Sequence, residues 1–95
     1  MWLLRSTEPE FTFRLLPGDI RTMGRAAGAQ FVVDAPLVSR LHCRLTHAPE
    51  GTLVVEDLGS TNGTFVNDHK VDGATPLGAD DRLVVGRVHF HVSRG

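Results

Sequence analysis

Polar residues that are neither obvious turn formers nor scattered surface charge gather at three places in this chain. They are Gly24-Arg25, Ser39-Arg40-Leu41-His42, and Asp57-Leu58-Gly59-Ser60-Thr61-Asn62-Gly63-Thr64. Together they offer guanidinium, hydroxyl and amide donors and backbone N–H groups. Converging on one rim, such donors hold an oxyanion, because the planar fork of an arginine grips two oxygens at once where a lysine supplies a point charge. Taken singly, each piece has a plainer reading. Arg25 alone is a surface arginine, Ser39 a turn or cap residue, and Asn62-Gly63 the pair that a type I′ hairpin turn demands.

Other chemistries can be assembled from the same residues. Ser39, His42 and Asp57 are the types of a nucleophile-base-acid relay, but there is no Gly-x-Ser-x-Gly elbow and the chain is small for a deep desolvated pocket. No catalytic residue is assigned, and an enzyme is not expected. Gly59 to Thr64 lacks the lysine of a phosphate loop and a following helix. His89 and His91 alternate on one strand and share a face, but two histidines fall short of the three or four ligands that zinc takes. No metal and no cofactor is expected, and Cys43 reads as a small buried core residue. Asn62-Gly63-Thr64 is formally a glycosylation acceptor, discounted because no secretory signal accompanies it.

The elements that position these residues read as strands. No Gly- and Pro-free stretch of eleven residues keeps apolar positions at i, i+3, i+4 and i+7. Short apolar clumps predict strands at Met1–Arg5, Phe11–Leu16, Arg21–Gly24, Phe31–Val33, His42–His47, Thr52–Glu56, Thr64–Val66, Lys70–Val71, Arg82–Val85 and Val88–Val92. Phe11, Phe13 and Leu15 share a side, as do Val88, Phe90 and Val92, the alternation of a sheet buried on one face. Turn residues punctuate the clumps, Asn62-Gly63 giving the strongest hairpin signal. Two such faces packed together make an all-β antiparallel sandwich.

Composition narrows the classes of partner. The 95 residues suffice for one small core. Ten Lys+Arg against eleven Asp+Glu leave a formal charge of −1, so no long-range field points to nucleic acid or a membrane. Hydrophobic residues at 41% and charged residues at 22% are those of a chain that folds. One cysteine cannot form an internal disulfide, and Met1-Trp2-Leu3-Leu4 is too short for a signal peptide or a span. A soluble, cytoplasmic protein is expected. Nine Arg against the single Lys70, with abundant Ala and Gly, suggest a bacterial, GC-rich source.

Gly24-Arg25, then Ser39-Arg40-Leu41-His42, then Ser60-Thr61-Asn62-Gly63-Thr64 with Asn67, resemble in order and spacing the signature of forkhead-associated (FHA) domains. Leu77-Gly78-Ala79-Asp80-Asp81 and Arg82-Leu83-Val84-Val85-Gly86 are similar to the family's penultimate loop and strand, so the resemblance covers residues 1–95 as one such domain. It implies an eleven-stranded antiparallel β-sandwich of the SMAD/FHA type whose loops bind phosphothreonine in a partner protein. A phosphothreonine carries about −1.5 to −2 charges and three acceptor oxygens. By resemblance Arg25 grips the phosphate and Ser39 donates its hydroxyl together with its backbone N–H. Arg40 adds a second phosphate contact or points to solvent. Thr61 lines the hollow for the γ-methyl, and Asn62 bonds the peptide main chain. Gly24, His42 and Gly63 hold the site as a tight strand exit, a tie between loops and a positive-φ position. Leu37 stands where the family reads the residue three after the phosphothreonine, which implies an apolar rather than an acidic preference. The expected partner is a phosphothreonine protein written by a Ser/Thr kinase, with no nucleic acid and no membrane. The rival is a structural domain of the same fold that meets its partner through a sheet face, independently of phosphate, as a homodimer or intramolecular clamp.

Overall fold

The computed structural model describes residues 1–95. Eleven strands follow in chain order: β1 (Trp2–Thr7), β2 (Glu10–Leu15), β3 (Ile20–Gly24), β4 (Phe31–Val32), β5 (Cys43–His47), β6 (Leu53–Asp57), β7 (Thr64–Val66), β8 (His69–Lys70), β9 (Thr75–Leu77), β10 (Arg82–Val85) and β11 (Val88–Arg94). They form a six-stranded sheet of order β2-β1-β11-β10-β7-β8 and a five-stranded sheet of order β4-β3-β5-β6-β9. Alternation does the sorting. In β11, Val88, Phe90 and Val92 are buried while His89 and His91 are exposed; in β5, Cys43, Leu45 and His47 are buried. The inward rows meet as one apolar core to which both sheets contribute, with Leu4, Leu83 and Phe90 from one and Met23, Leu45 and Val55 from the other. Each such side chain stabilises the fold by about 1.5–3 kcal/mol relative to exposure. Phe13 stacks on Phe31 across the two sheets, with ring centroids 4.5 Å apart.

The all-β sandwich is the architecture the sequence predicts, with three differences of detail. The apolar clumps give ten strands, and the additional one is β9, where Pro76 interrupts the signal. Proline is tolerated there because β9 lies at a sheet edge and one side of its backbone owes no ladder bond. The ladder between β3 and β4 is parallel; every other ladder is antiparallel. Asn62-Gly63 is not a hairpin turn, since β6 and β7 on either side of it belong to different sheets, and of the pair only Gly63 has positive φ, +86°. Positive φ at two successive central residues occurs instead at Asn67 and Asp68, +49° and +70°, between β7 and β8. The β6–β7 segment is thereby free to serve as a crossing loop at the end of the sandwich where β3 also terminates.

Candidate functional site

At that end three loops are stitched together by backbone hydrogen bonds. As β3 leaves its sheet, Arg25 N–H donates to Ser39 O at 2.9 Å and Ala26 N–H to Arg40 O at 3.1 Å. The approach is so close that a Cβ on Gly24 would stand 2.1 Å from the Arg40 carbonyl oxygen, so only glycine fits. Arg25 and Ser39, fourteen positions apart in the chain, are therefore neighbours. Arg25 Nε donates to Val38 O at 3.0 Å, and its two terminal amino groups have no carboxylate partner.

The second stitch runs to the β6–β7 loop. Ser39 Oγ accepts from Thr61 N–H at 3.0 Å, which leaves its own hydroxyl proton free to donate. Fully buried His42 accepts from Ser39 N–H on Nδ1 at 3.0 Å and donates from Nε2 to Gly63 O at 2.9 Å. This pattern fixes the neutral Nε2–H tautomer. His42 thus ties the loops. The backbone N–H of Ser39 is consumed by this tie, so the expectation that it also donates to a phosphate is corrected: the serine has only its hydroxyl to offer. Nor do Ser39, His42 and Asp57 form a relay, because both imidazole nitrogens bond backbone groups and Asp57 bonds elsewhere.

Asp57 shapes its own loop. Its carboxylate accepts from Gly59 N–H and Ser60 N–H, both at 3.0 Å, from Ser60 Oγ at 2.5 Å and from Thr64 Oγ1 at 2.7 Å. Burial alone would push the Asp57 pKa up, but these bonds outweigh it and hold the carboxyl below its ordinary range. Beneath the same loop Cys43 is fully buried. Its thiol is pushed up to about 12, first by burial and then by the Asp57 charge, so it stays protonated.

Between the stitched loops opens a hollow of about 450 Å³. Arg25, Leu37, Ser39, Thr61 and Asn62 line it, together with Asp34. Asn62 Nδ2 donates to Leu37 O at 3.0 Å, which leaves its Oδ1 free to accept. Leu37 itself is held at φ +70°, a conformation that costs a residue with a side chain about 1–3 kcal/mol. Gly86 in the β10–β11 turn supports it, where a Cβ would come within 3.0 Å of the Leu37 carbonyl group. Arg40 is exposed and does not line the hollow; its contribution is its carbonyl, against Gly24 and Ala26.

The sequence pattern of the FHA domain family matches residues 21–86, a span running from β3 through the β10–β11 turn and including every loop described above. The chain belongs to the FHA family. An ABC transporter ATP-binding/permease protein of Mycobacterium tuberculosis, Rv1747, is 40% identical over 84 residues, 88% of this chain and 9% of the relative. The FHA domain-containing protein FhaB of Mycolicibacterium smegmatis is 42% identical over 64 residues, 64% of this chain and 40% of FhaB. The FHA chain thus spans well under half the length of either relative. A solved structure described as an analysis of phosphothreonine-dependent FHA domain interactions superposes with a TM-score of 0.88 at 28% identity, over 99% of this chain and 96% of that one.

Of the residues singled out from the sequence of this FHA domain, Arg25, Leu37, Ser39, Thr61 and Asn62 come together, Gly24, His42 and Gly63 frame them, and Arg40 stands apart. Sequence reasoning missed Asp34, the one carboxylate lining the hollow, and the framing roles of Asp57 and Gly86. Asp57 had a readable signal. An aspartate followed by Gly and Ser two and three residues on is an Asx-turn pattern.

Proposed function

We propose that residues 1–95 act as a non-catalytic recognition module that docks a phosphothreonine segment of a partner protein into this hollow. One observation carries the reading: the unpaired amino groups of Arg25, the free hydroxyl proton of Ser39 and the side chain of Asn62 are presented to one cleft by loops already stitched in place. A doubly charged phosphate accepts from Arg25 and Ser39 without rearrangement, and preorganisation of this kind limits the entropic cost of binding. Thr61 lines the hollow beside the γ-methyl, and Asn62 Oδ1 receives a main-chain N–H. Leu37, 44% exposed on the rim, reads the residue three after the phosphothreonine and favours an apolar one. Asp34 disfavours acidic side chains there. Arg40, outside the hollow, serves a longer ligand from the side. A Ser/Thr kinase writes the mark, which places the chain in the cytoplasm. Supporting the reading are family membership, the phosphothreonine-dependent interactions of a solved relative and the bacterial source of its sequence relatives.

Calorimetric titration with matched phosphorylated and unphosphorylated threonine peptides tests it. Only the phosphorylated peptide is expected to bind, and Arg25→Ala is expected to weaken it by about 10- to 150-fold, the equivalent of 1.5–3 kcal/mol for hydrogen bonds to a charged group. Equal binding of both peptides, unchanged in Arg25→Ala, would instead favour a phosphate-independent interaction domain.

A further inference from the structure

The outward face of the six-stranded sheet carries a charge pattern separate from the cleft. By alternation along the strands, Arg5, Arg14, Lys70 and Arg82 point outward with His89 and His91, and Glu10 is the one carboxylate among the outward strand positions. The register sets Arg5 opposite His91 and His91 opposite Arg82, so three basic groups stand side by side on β1, β11 and β10. Two of the three meet a carboxylate from a flanking turn: Arg82 pairs with Asp68 at 2.6 Å, and His91 Nε2 stands 3.1 Å from Asp80 Oδ1. Arg5 makes neither an ion pair nor a side-chain hydrogen bond, and Arg14 and Lys70 are equally without a carboxylate. With the histidines neutral, Arg5, Arg14, Lys70 and Arg82 on this face exceed Glu10, Asp68 and Asp80 by one charge, in a chain whose net charge is −1. A hollow of about 240 Å³ opens among Arg5, Thr7, Arg82, His89, Phe90 and His91, and a neighbouring one shares Arg5, Thr7 and His91.

We propose that this face docks an acidic segment of a partner protein, seating a carboxylate on Arg5 beside His91, in the hollow that Arg82 also lines. Carboxylate is the group that the rim of the face already pairs with, through Asp68 and Asp80, and an incoming Asp or Glu supplies Arg5 with what its neighbours have. Leu3, Val84 and Phe65 interrupt the cations with half-buried apolar surface, which suits a polypeptide better than a phosphodiester backbone. The net charge also gives no long-range pull on nucleic acid or an anionic bilayer. The proposal asks nothing of Arg25 or Ser39, and so stands apart from the phosphate reading.

The test is a titration of the isotopically labelled protein, at low salt, with a short glutamate-rich peptide lacking threonine and phosphate, followed by amide chemical shifts. Shifts on β1, β10 and β11 are expected, together with at least about tenfold weaker binding in Arg5→Gln/Arg82→Gln and unchanged binding in Arg25→Ala. Both glutamines are exposed replacements, and the thermal midpoint of the variant checks that it is folded. Absence of binding overturns the proposal, as do shifts confined to residues 25 and 37–39 that vanish in Arg25→Ala. Duplex DNA or phosphatidylserine vesicles binding the same strands more tightly than the peptide at equal ionic strength would overturn it too.

Discussion

Asp57 lies behind the cleft rather than in it, yet three donors of the β6–β7 loop and one from the first residue of β7 converge on its two oxygens. Replacing it with asparagine leaves some of those donors facing another donor, a loss of about 1–3 kcal/mol for the unsatisfied group. Because the folded carboxyl titrates below its ordinary range, its stabilising contribution is complete above that range, roughly pH 4, and disappears as the pH falls through the folded value. Urea unfolding near pH 7 is therefore expected to show Asp57→Asn as the less stable protein. Between about pH 4 and the folded value, wild type is expected to lose stability more steeply with acid than the variant. A variant as stable as wild type at pH 7 would remove Asp57 from the framework of the site.

At the scale of elements, the cleft depends on β3, the β4–β5 loop and the β6–β7 loop keeping their relative positions, and His42 is the joint between the last two. His42→Ala orphans Ser39 N–H and Gly63 O and opens a void. The expected cost is about 2–4 kcal/mol, with phosphopeptide affinity falling although residue 42 touches no ligand. Denaturant midpoints and calorimetry on the same preparation check both; full affinity in a destabilised His42→Ala would show that the loops hold without the joint. Much of this arrangement was legible in the sequence. Alternation revealed the inward-facing rows of β2 and β11, and the order of Gly24-Arg25, Ser39 to His42 and Ser60 to Thr64 marked the loops. What escaped was tertiary. Pro76 hides β9 because an edge position cancels its penalty, and Asn62-Gly63 looks like a hairpin turn because local turn chemistry cannot tell which sheet the next strand joins. The positive φ of Leu37 and the capture of the Ser39 N–H by His42 are set by contacts between segments, which no short window of residues contains.

For the whole molecule, polarity of the sandwich is the functional fact. The cleft occupies one end, where β3 stops and β10 turns into β11, while Gly95 N–H donates to Met1 O at the other. The net charge of −1 confines attraction to local fields, and binding is expected to weaken with added salt and below about pH 6, where the phosphate sheds its second charge. The most direct measurement is a nitrogen-15 chemical-shift titration with a phosphothreonine peptide that follows the Arg25 side-chain Nε–H together with the backbone amides. Shifts at that Nε–H and at amides of residues 37–39 and 60–63, absent with the unphosphorylated peptide, are expected. A silent Arg25 side chain, or the same shifts with and without the phosphate, would contradict the assignment of the cleft.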